Sequence, residues 1–399
     1  MKILNVFNHY LERGGEEIVI EEICSVISRK LELRQLSFYS KDWKSESLFL
    51  KILQPFRMFY HRKAVREFRA MVRDFSPDLI LFHNAFPVGS LGLYRAALRT
   101  GIPVVQYIHN FRPFSVSGYC WANSKVVSDG FTLDFKKEVE AGAWQGSRLK
   151  TYLYSKVLLL GHRMGIWQSI SGWIAISDFV REKFVEGGIK PDRCVTVRHP
   201  WFGPIPEEEQ PESDQKAGDQ FLFMGRLTEE KGILTLLEAW KKLESRTDFG
   251  TLVIAGTGPL EAEVKAKADE LERVSFRGFV SGAEKEGLLG ESIGMVIPSL
   301  WWEPLGLVAY EAYSRRMPVF AANSGGLAEV VVDGETGWVH EPGDAEALSK
   351  HLELALEKRE ERTRRGKGGL DWLSRHSSQS EWEGLLLEHL RNFAGGGKA

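Results

Sequence analysis

The chain has 399 residues, 43% of them hydrophobic and 27% charged, with a formal net charge of −2. That length suits two domains of roughly 150 to 200 residues, and the near-neutral charge excludes a dedicated nucleic-acid binder, which needs a basic surplus for phosphate. Cys24, Cys120 and Cys194 are odd in number and far apart, which excludes a disulfide framework or a paired-cysteine metal knuckle and suits a reducing cytoplasm.

The start, MKILNVFNHY, holds a short strand-like run and lacks the long apolar core of a signal peptide, and no apolar run reaches the length of a membrane span. Short apolar runs then alternate with amphipathic stretches, the pattern of helices layered on parallel strands. In the first half KILNVF, DLILFH, PVVQYIH and GWIAIS are expected to be buried strands; in the second half QFLFMG, TLVIAG, VSFRG, GMVIPS and MPVFAA repeat the theme. Between them PIPEEEQPESDQKAG is rich in Pro and acid and has no period, which marks a linker. The expected organisation is a first α/β domain over 1–200, a linker over 201–218, a second α/β domain over 219–377, and a terminal segment over 378–399. Trp382, Leu385, Leu386, Leu390 and Phe393 give that last segment a helical spacing. The helix is expected to pack back toward the first domain, ahead of a disordered Gly-rich tail.

Open parallel sheets bind ligands at the carboxyl ends of their strands, so candidate residues are sought just after the apolar runs. Between Arg57 and Arg73, four arginines (Arg62, Arg66, Arg69 and Arg73) form a stripe beside an apolar face. A solvated outer face is the plainer reading; a patch for anionic lipid is the rival. His109 follows PVVQYI, where a lone histidine also suits a structural role bonded to backbone; His83 suits packing or the acceptor side. In FLFMGRLTEEKGI a strand ends in Gly225, with Arg226 and Lys231 close behind. A glycine there lets a ligand approach, and the two cations suit a diphosphate, though solvated cations on a plain turn fit as well.

In PSLWWEPLGLVAYEAYS, Pro304 and Gly306 introduce a helix expected to begin near Leu305 to Leu307. Its first amides would form an anion site. Glu303 stands just before it, able to accept from sugar hydroxyls, and Glu311 lies about one turn in, on the face of Leu307. The flanking Val308, Ala309, Tyr310 and Ala312 suggest a buried helix, in which a carboxylate needs partners.

The ordered series MGRLTEEKG, LVIAGTGPL, VSFRGFV, PSLWWEPLGLVAYEA and SGGLAEVVVDGETGW, from about residue 219 to 345, resembles the second domain of the family 4 (group 1) retaining nucleotide-sugar glycosyltransferases. The first half is similar more loosely, through RGGEE, DLILFHN, YIHNFRP and ISDFVREKF. The resemblance implies the GT-B fold: two Rossmann-like α/β domains with a deep interdomain cleft. It implies that Arg226 and Lys231, with the amides of Leu305, Gly306 and Leu307, hold the donor diphosphate, that Glu303 meets the sugar and Glu311 the ribose, and that backbone near Val280 faces the base. His109 would stand beside the transferred sugar, and Gly15 in the loop facing phosphate and acceptor. Departures are Leu305, where an aromatic residue is frequent, Asn110 after His109 in place of Asp, and RHPWFG at 198–203, which puts any role for His199 in doubt.

The implied reaction is hexosyl transfer with retention, from a UDP- or GDP-linked sugar to a saccharide or lipid-linked acceptor, as in polysaccharide biosynthesis. No DxD motif is present, so no metal or other cofactor is expected. A cytoplasmic enzyme, peripheral at the inner membrane face, is expected. An epimerase or hydrolase of nucleotide sugars, or a non-catalytic binding partner, are the alternatives. A dinucleotide oxidoreductase is disfavoured because NHYLERGGEE, not GxGxxG, follows the first strand.

Overall fold

A computed structural model describes residues 1–9, 15–41, 54–205, 219–247 and 249–395. Part of the expected linker, 206–218, and the last four residues of the tail lie outside the described residues. The chain divides into two compact units, the first comprising Met1–Asn123, Val127–His199 and Ser380–Ala399, the second Ser124–Val126 and Pro200–Gln379. Each is built on a six-stranded parallel sheet, the Rossmann-like pair of the GT-B fold.

In the first unit the strands are β1 (Lys2–His9), β2 (Glu32–Tyr39), β3 (Leu79–Phe82), β4 (Val104–Tyr107), β5 (Gly172–Ala175) and β6 (Cys194–Thr196), in the order β2-β1-β3-β4-β5-β6. β3, β4 and β5 are buried at every residue, as continuous apolar runs with helices on both faces must be. β2 is different: it lies at the edge and buries only Leu36 and Phe38. The order reverses between β1 and β3, which pair from Ile3 with Leu79 to Val6 with Phe82. The helix Arg62–Phe75 buries Ala64, Val65, Phe68 and Phe75 and turns its arginines outward.

The terminal helix Gln379–Ala394 belongs to this first unit and buries Trp382, Leu386, Leu387 and Leu390. The Phe393 ring fills the space over Gly172, where a Cβ would stand 2.5 Å away. Leu385, expected in the buried set, is exposed instead.

In the second unit the strands are β7 (Gln220–Met224), β8 (Thr251–Ala255), β9 (Val274–Gly278), β10 (Ser292–Ile297), β11 (Val319–Ala322) and β12 (Gly337–His340), in the order β9-β8-β7-β10-β11-β12. The helix Ile233–Glu244 buries Ile233, Leu236, Leu237, Trp240 and Leu243, one stripe at helical spacing. Trp240 meets Phe221 edge-on, Phe221 meets Phe320 edge-on, and Phe320 stacks on Trp338 at 4.8 Å, so these four rings run continuously through one core cluster. The order reverses between β7 and β10, the point at which open parallel sheets take their ligands, beyond the carboxyl ends of the strands.

Candidate active site

The β7 loop carries Gly225, Arg226 and Lys231 in the second unit. A Cβ on Gly225 would meet only the Phe223 ring, at 3.7 Å, so packing does not require the glycine. Arg226 is half exposed, its Nη2 3.6 Å from Glu230 Oε1. A short 3-10 turn, Glu229–Lys231, ends at Gly232, whose φ of +71° and missing side chain are both needed: a Cβ would fall 1.8 Å from the Pro298 carbonyl oxygen. This contact seats the β7 loop on the β10 loop.

There Lys231 and Glu303 meet. Lys231 Nζ lies 2.6 Å from Glu303 Oε1, and the same oxygen accepts from Ser299 Oγ at 2.6 Å and Trp301 Nε1 at 3.0 Å. The ammonium also sits 5.0 Å from the centre of the Trp301 ring. Glu303 is only 5% exposed. Burial pushes its carboxyl up, but the Lys231 ammonium and the three donors outweigh it and hold the pKa below 4.5. All three donors converge on Oε1, which leaves Oε2 to accept from another group. Behind the carboxylate, Gly326 N–H donates to the Glu303 carbonyl at 2.7 Å, and Gly325 (φ +59°) leaves no room for a Cβ, which would stand 2.5 Å from that carbonyl.

The helix predicted after Glu303 begins at Leu307, capped by Gly306 in the left-handed region, and ends at Tyr313. The amides opening a helix have no intrahelical acceptor. Leu305 is buried, so only its backbone could serve a ligand. The helix is substantially buried, as expected, but on one face only. Ala309, Tyr310, Ala312 and Tyr313 are buried, while Leu307, Val308 and Glu311 lie on a half-open side, because only one face packs on the core. Glu311 is held by Lys285 Nζ at 2.5 Å, from the helix Gly282–Glu291. Val280, its side chain turned inward, lies between the end of β9 and that helix.

In the first unit, His83 and Asn84 follow β3, and His109 and Asn110 follow β4. His83 Nδ1 lies 2.9 Å from His109 Nε2, and Asn110 Nδ2 donates to Asn84 Oδ1 at 2.8 Å. Asn84 in turn donates to the Glu16 carboxylate. Gly15 opens the helix Gly15–Lys30 and does not stand in the loop ahead of it; residues 10–14 of that loop lie outside the described residues. His199 is buried, its ring stacked on Tyr107 at 5.5 Å and 5.8 Å from the His109 ring. Burial holds His83 and His199 at about 3, and holds the half-buried His109 well below 6.5 with help from His83 and His199, so all three are neutral near pH 7.

Reading the sequence missed Glu16, Asn84 and Glu138. Glu138 is buried and accepts from Ser115 Oγ at 2.7 Å and Val116 N–H at 3.0 Å, fixing the turn after Phe114. Polar residues directly after a buried strand, as Asn84 is, were the available signal. Among the described residues no group of three or more His, Cys, Asp and Glu could hold a metal ion, and no helix is long and apolar enough to cross a membrane.

Residues 205–372 match the family described as Glycosyl transferases group 1, and residues 50–199 match the Glycosyl transferase 4-like domain. A glycosyltransferase of Methanocaldococcus jannaschii is 37% identical over 139 residues, 34% of this chain and 35% of the relative. The 2-deoxystreptamine N-acetyl-D-glucosaminyltransferase of Niallia circulans is 26% identical over 225 residues, 55% of this chain and 53% of the relative. The match thus spans about a third to a half of the length of these relatives. Among solved structures, Anabaena HepE in complex with UDP-glucose superposes with a TM-score of 0.67 at 18% identity, over 98% of this chain and 100% of that one. A glycosyltransferase of Rickettsia africae gives 0.66 at 19%, over 98% of each chain. With two family matches that fall one on each half, and with the fold shared along nearly the whole length, the chain belongs to the family 4 (group 1) glycosyltransferases.

Proposed function

We propose that the protein transfers a hexosyl unit from a nucleotide-diphosphate sugar, UDP- or GDP-linked, to a saccharide or lipid-linked acceptor, with retention of anomeric configuration and without a metal. The observation that carries the reading is the Lys231–Glu303 pair at the reversal point of the second sheet, its carboxylate buried, with no bond to Oε2 among the described residues and the Arg226 guanidinium on the same loop as Lys231. Breaking the bond from the sugar C1 to phosphate gathers negative charge on the departing diphosphate. Fixed cations and the amides of Leu305, Gly306 and Leu307 stabilise that charge more than they stabilise the ground state. Gly225 leaves its backbone open to the same group. Glu303 Oε2 accepts from hydroxyls of the donor sugar, Glu311 from those of the ribose, and backbone near Val280 meets the base. His109, neutral, gives a hydrogen bond to the transferred sugar, and Gly15 faces phosphate and acceptor. The acceptor enters on the leaving-group side and gives its proton to a phosphate oxygen.

The UDP-glucose complex of HepE supports a nucleotide-sugar donor. The test is a panel of nucleotide sugars scored by thermal stabilisation, where a donor at a hundred times its Kd adds about 2.7 kcal/mol. The donor that stabilises is then turned over with and without acceptor saccharides, in the presence of EDTA, and the product anomer is read by NMR. Donor consumption that needs no acceptor would instead indicate an epimerase or hydrolase, and an inverted product would overturn retention. Loss of activity in EDTA would overturn metal independence.

A further inference from the structure

We propose that one helical face of the first unit docks on an anionic lipid bilayer. It centres on the helix Arg62–Phe75 and the short helix Gln54–Phe59 directly before it in the chain, which packs against a third helix, Arg148–Arg163. Together they hold ten Lys and Arg against two carboxylates, Glu67 and Asp74, in a chain whose net charge is −2. Both carboxylates are already engaged, Glu67 by Lys63 at 3.9 Å and Asp74 by Arg34. The helix Arg148–Arg163 has no acidic residue at all.

Arg62, Arg66, Arg69 and Arg73 recur at spacings of four, three and four, so they share one side of their helix, and all four are exposed. Among the described residues none of the four has a carboxylate within salt-bridge distance. They line an open groove with Tyr60 and Val65. An exposed row of cations left uncompensated attracts an anionic partner and repels another copy of itself.

The same three helices expose apolar groups. Phe56 is 72% exposed and Leu149 67%, and Phe59, Tyr60, Tyr152 and Leu160 are exposed as well. Leu149, Tyr152, Lys156 and Leu160 follow one another on one side of their helix, with the Lys156 ammonium 4.7 Å from the Tyr152 ring centre. A soluble polyanion would use the cations and leave these rings in water. A bilayer surface takes both, with the rings at the acyl boundary and the cations on the headgroups. That combination selects the bilayer as the occupant.

The test is co-sedimentation of the full chain with vesicles of phosphatidylcholine alone or mixed with phosphatidylglycerol, without donor or acceptor, so its failure leaves the transferase reading standing. Pelleting is expected only with the mixed vesicles, and is reversed in about 1 M salt, where the reach of charge falls to about 3 Å. Two variants are compared with the native chain, Arg62→Gln/Arg66→Gln/Arg69→Gln/Arg73→Gln and Phe56→Ser/Leu149→Ser; every replaced side chain is exposed, and unchanged thermal melting verifies the fold. Each is expected to weaken partitioning at least about tenfold. Equal pelleting on phosphatidylcholine, no pelleting at all, or native binding by the arginine variant would overturn the proposal. An arginine effect with no effect of Phe56→Ser/Leu149→Ser would also overturn it, reassigning the face to a soluble polyanion.

Discussion

Nδ1 of His83 lies 2.9 Å from Nε2 of His109, and the direction of the proton between them decides what His109 can do. The other nitrogen of His83, Nε2, is buried and has no hydrogen-bond partner among the described residues. An orphaned N–H in that position is less tolerable than a bare lone pair, so the His83 proton belongs on Nδ1, from which it donates to His109. His109 therefore carries its own proton on Nδ1 and acts there as a donor, not as a base. Nitrogen-15 NMR should find His109 protonated at Nδ1 and bare at Nε2; the reverse pattern would refute the assignment. In His83→Phe both His109 tautomers should appear, and kcat should fall by about tenfold, the worth of one neutral hydrogen bond.

Lys231 and Glu303 should prove inseparable. Glu303→Gln leaves a largely buried ammonium without its counter-charge and should destabilise the second unit by about 3 kcal/mol, the low end for breaking a buried pair. The double change Lys231→Met/Glu303→Leu should regain most of that stability while turnover stays lost. Denaturant midpoints and donor turnover, measured on all three proteins, separate the two effects; recovered turnover in the double variant would remove both residues from the reaction.

Arg226 behaves oppositely. Its contact with Glu230 is long and half exposed, so the loss of that contact in Arg226→Ala should cost at most about 1 kcal/mol of stability. Turnover should nevertheless fall by about a hundredfold or more, as when one charge-stabilising donor is removed. Near-native kinetics would count against the assignment.

Gly325 offers a test of backbone support. Gly325→Ala combines an unfavourable φ with a Cβ pressed on the Glu303 carbonyl, whereas Gly334→Ala has φ +79° and open space around it. Both should lose about 1–2 kcal/mol from the left-handed backbone, but only Gly325→Ala should weaken donor binding in a titration. Equal donor affinity in the two variants would show that Glu303 does not depend on this contact.

The neutral histidines also set an acid limit for the first unit. His83 and His199 titrate at about 3 in the fold, against an ordinary value of 6.5. The unfolded chain takes up protons first as pH falls. The stabilisation is therefore complete above about pH 6.5 and is lost progressively toward pH 3. His199→Phe keeps a ring beside Tyr107 and removes one such group, so its unfolding midpoint should fall less between pH 6.5 and 4 than that of the native chain. Parallel profiles would contradict the assignment.

Strands buried along their length were legible because an apolar run needs no partner to be recognised: β1, β3, β4, β5, β7, β8, β10 and β11 all appear in the sequence as such runs, and β9 was read as well although it is an edge strand with no buried residue. β2, β6 and β12 escaped as edge strands with broken apolar runs: β2 buries only Leu36 and Phe38 among polar neighbours, β6 buries only Cys194, and β12 sets Trp338 and Val339 between a glycine and a histidine. Lys231 and Glu303 were legible as residues placed after strands, but their bond was not. They lie 72 positions apart, and only the strand order brings their loops together. The Lys285 partner of Glu311 and the chain from Glu16 through Asn84 to Asn110 are hidden for the same reason.

The ionic clasp of Lys285 on Glu311 has a thermodynamic consequence for any nucleotide that takes this carboxylate. A ribose hydroxyl that takes Oε2, the oxygen Lys285 holds, opens the clasp, so association through that oxygen is an exchange of partners and not a simple gain. If the diphosphate binds as proposed, added electrolyte weakens the pull of Arg226 and Lys231 on it, yet loosens the competing clasp as well. The two responses oppose each other, which makes nucleotide affinity flatter against ionic strength than the number of facing charges would suggest. Lys285→Met should sharpen that dependence while strengthening the grip in dilute buffer.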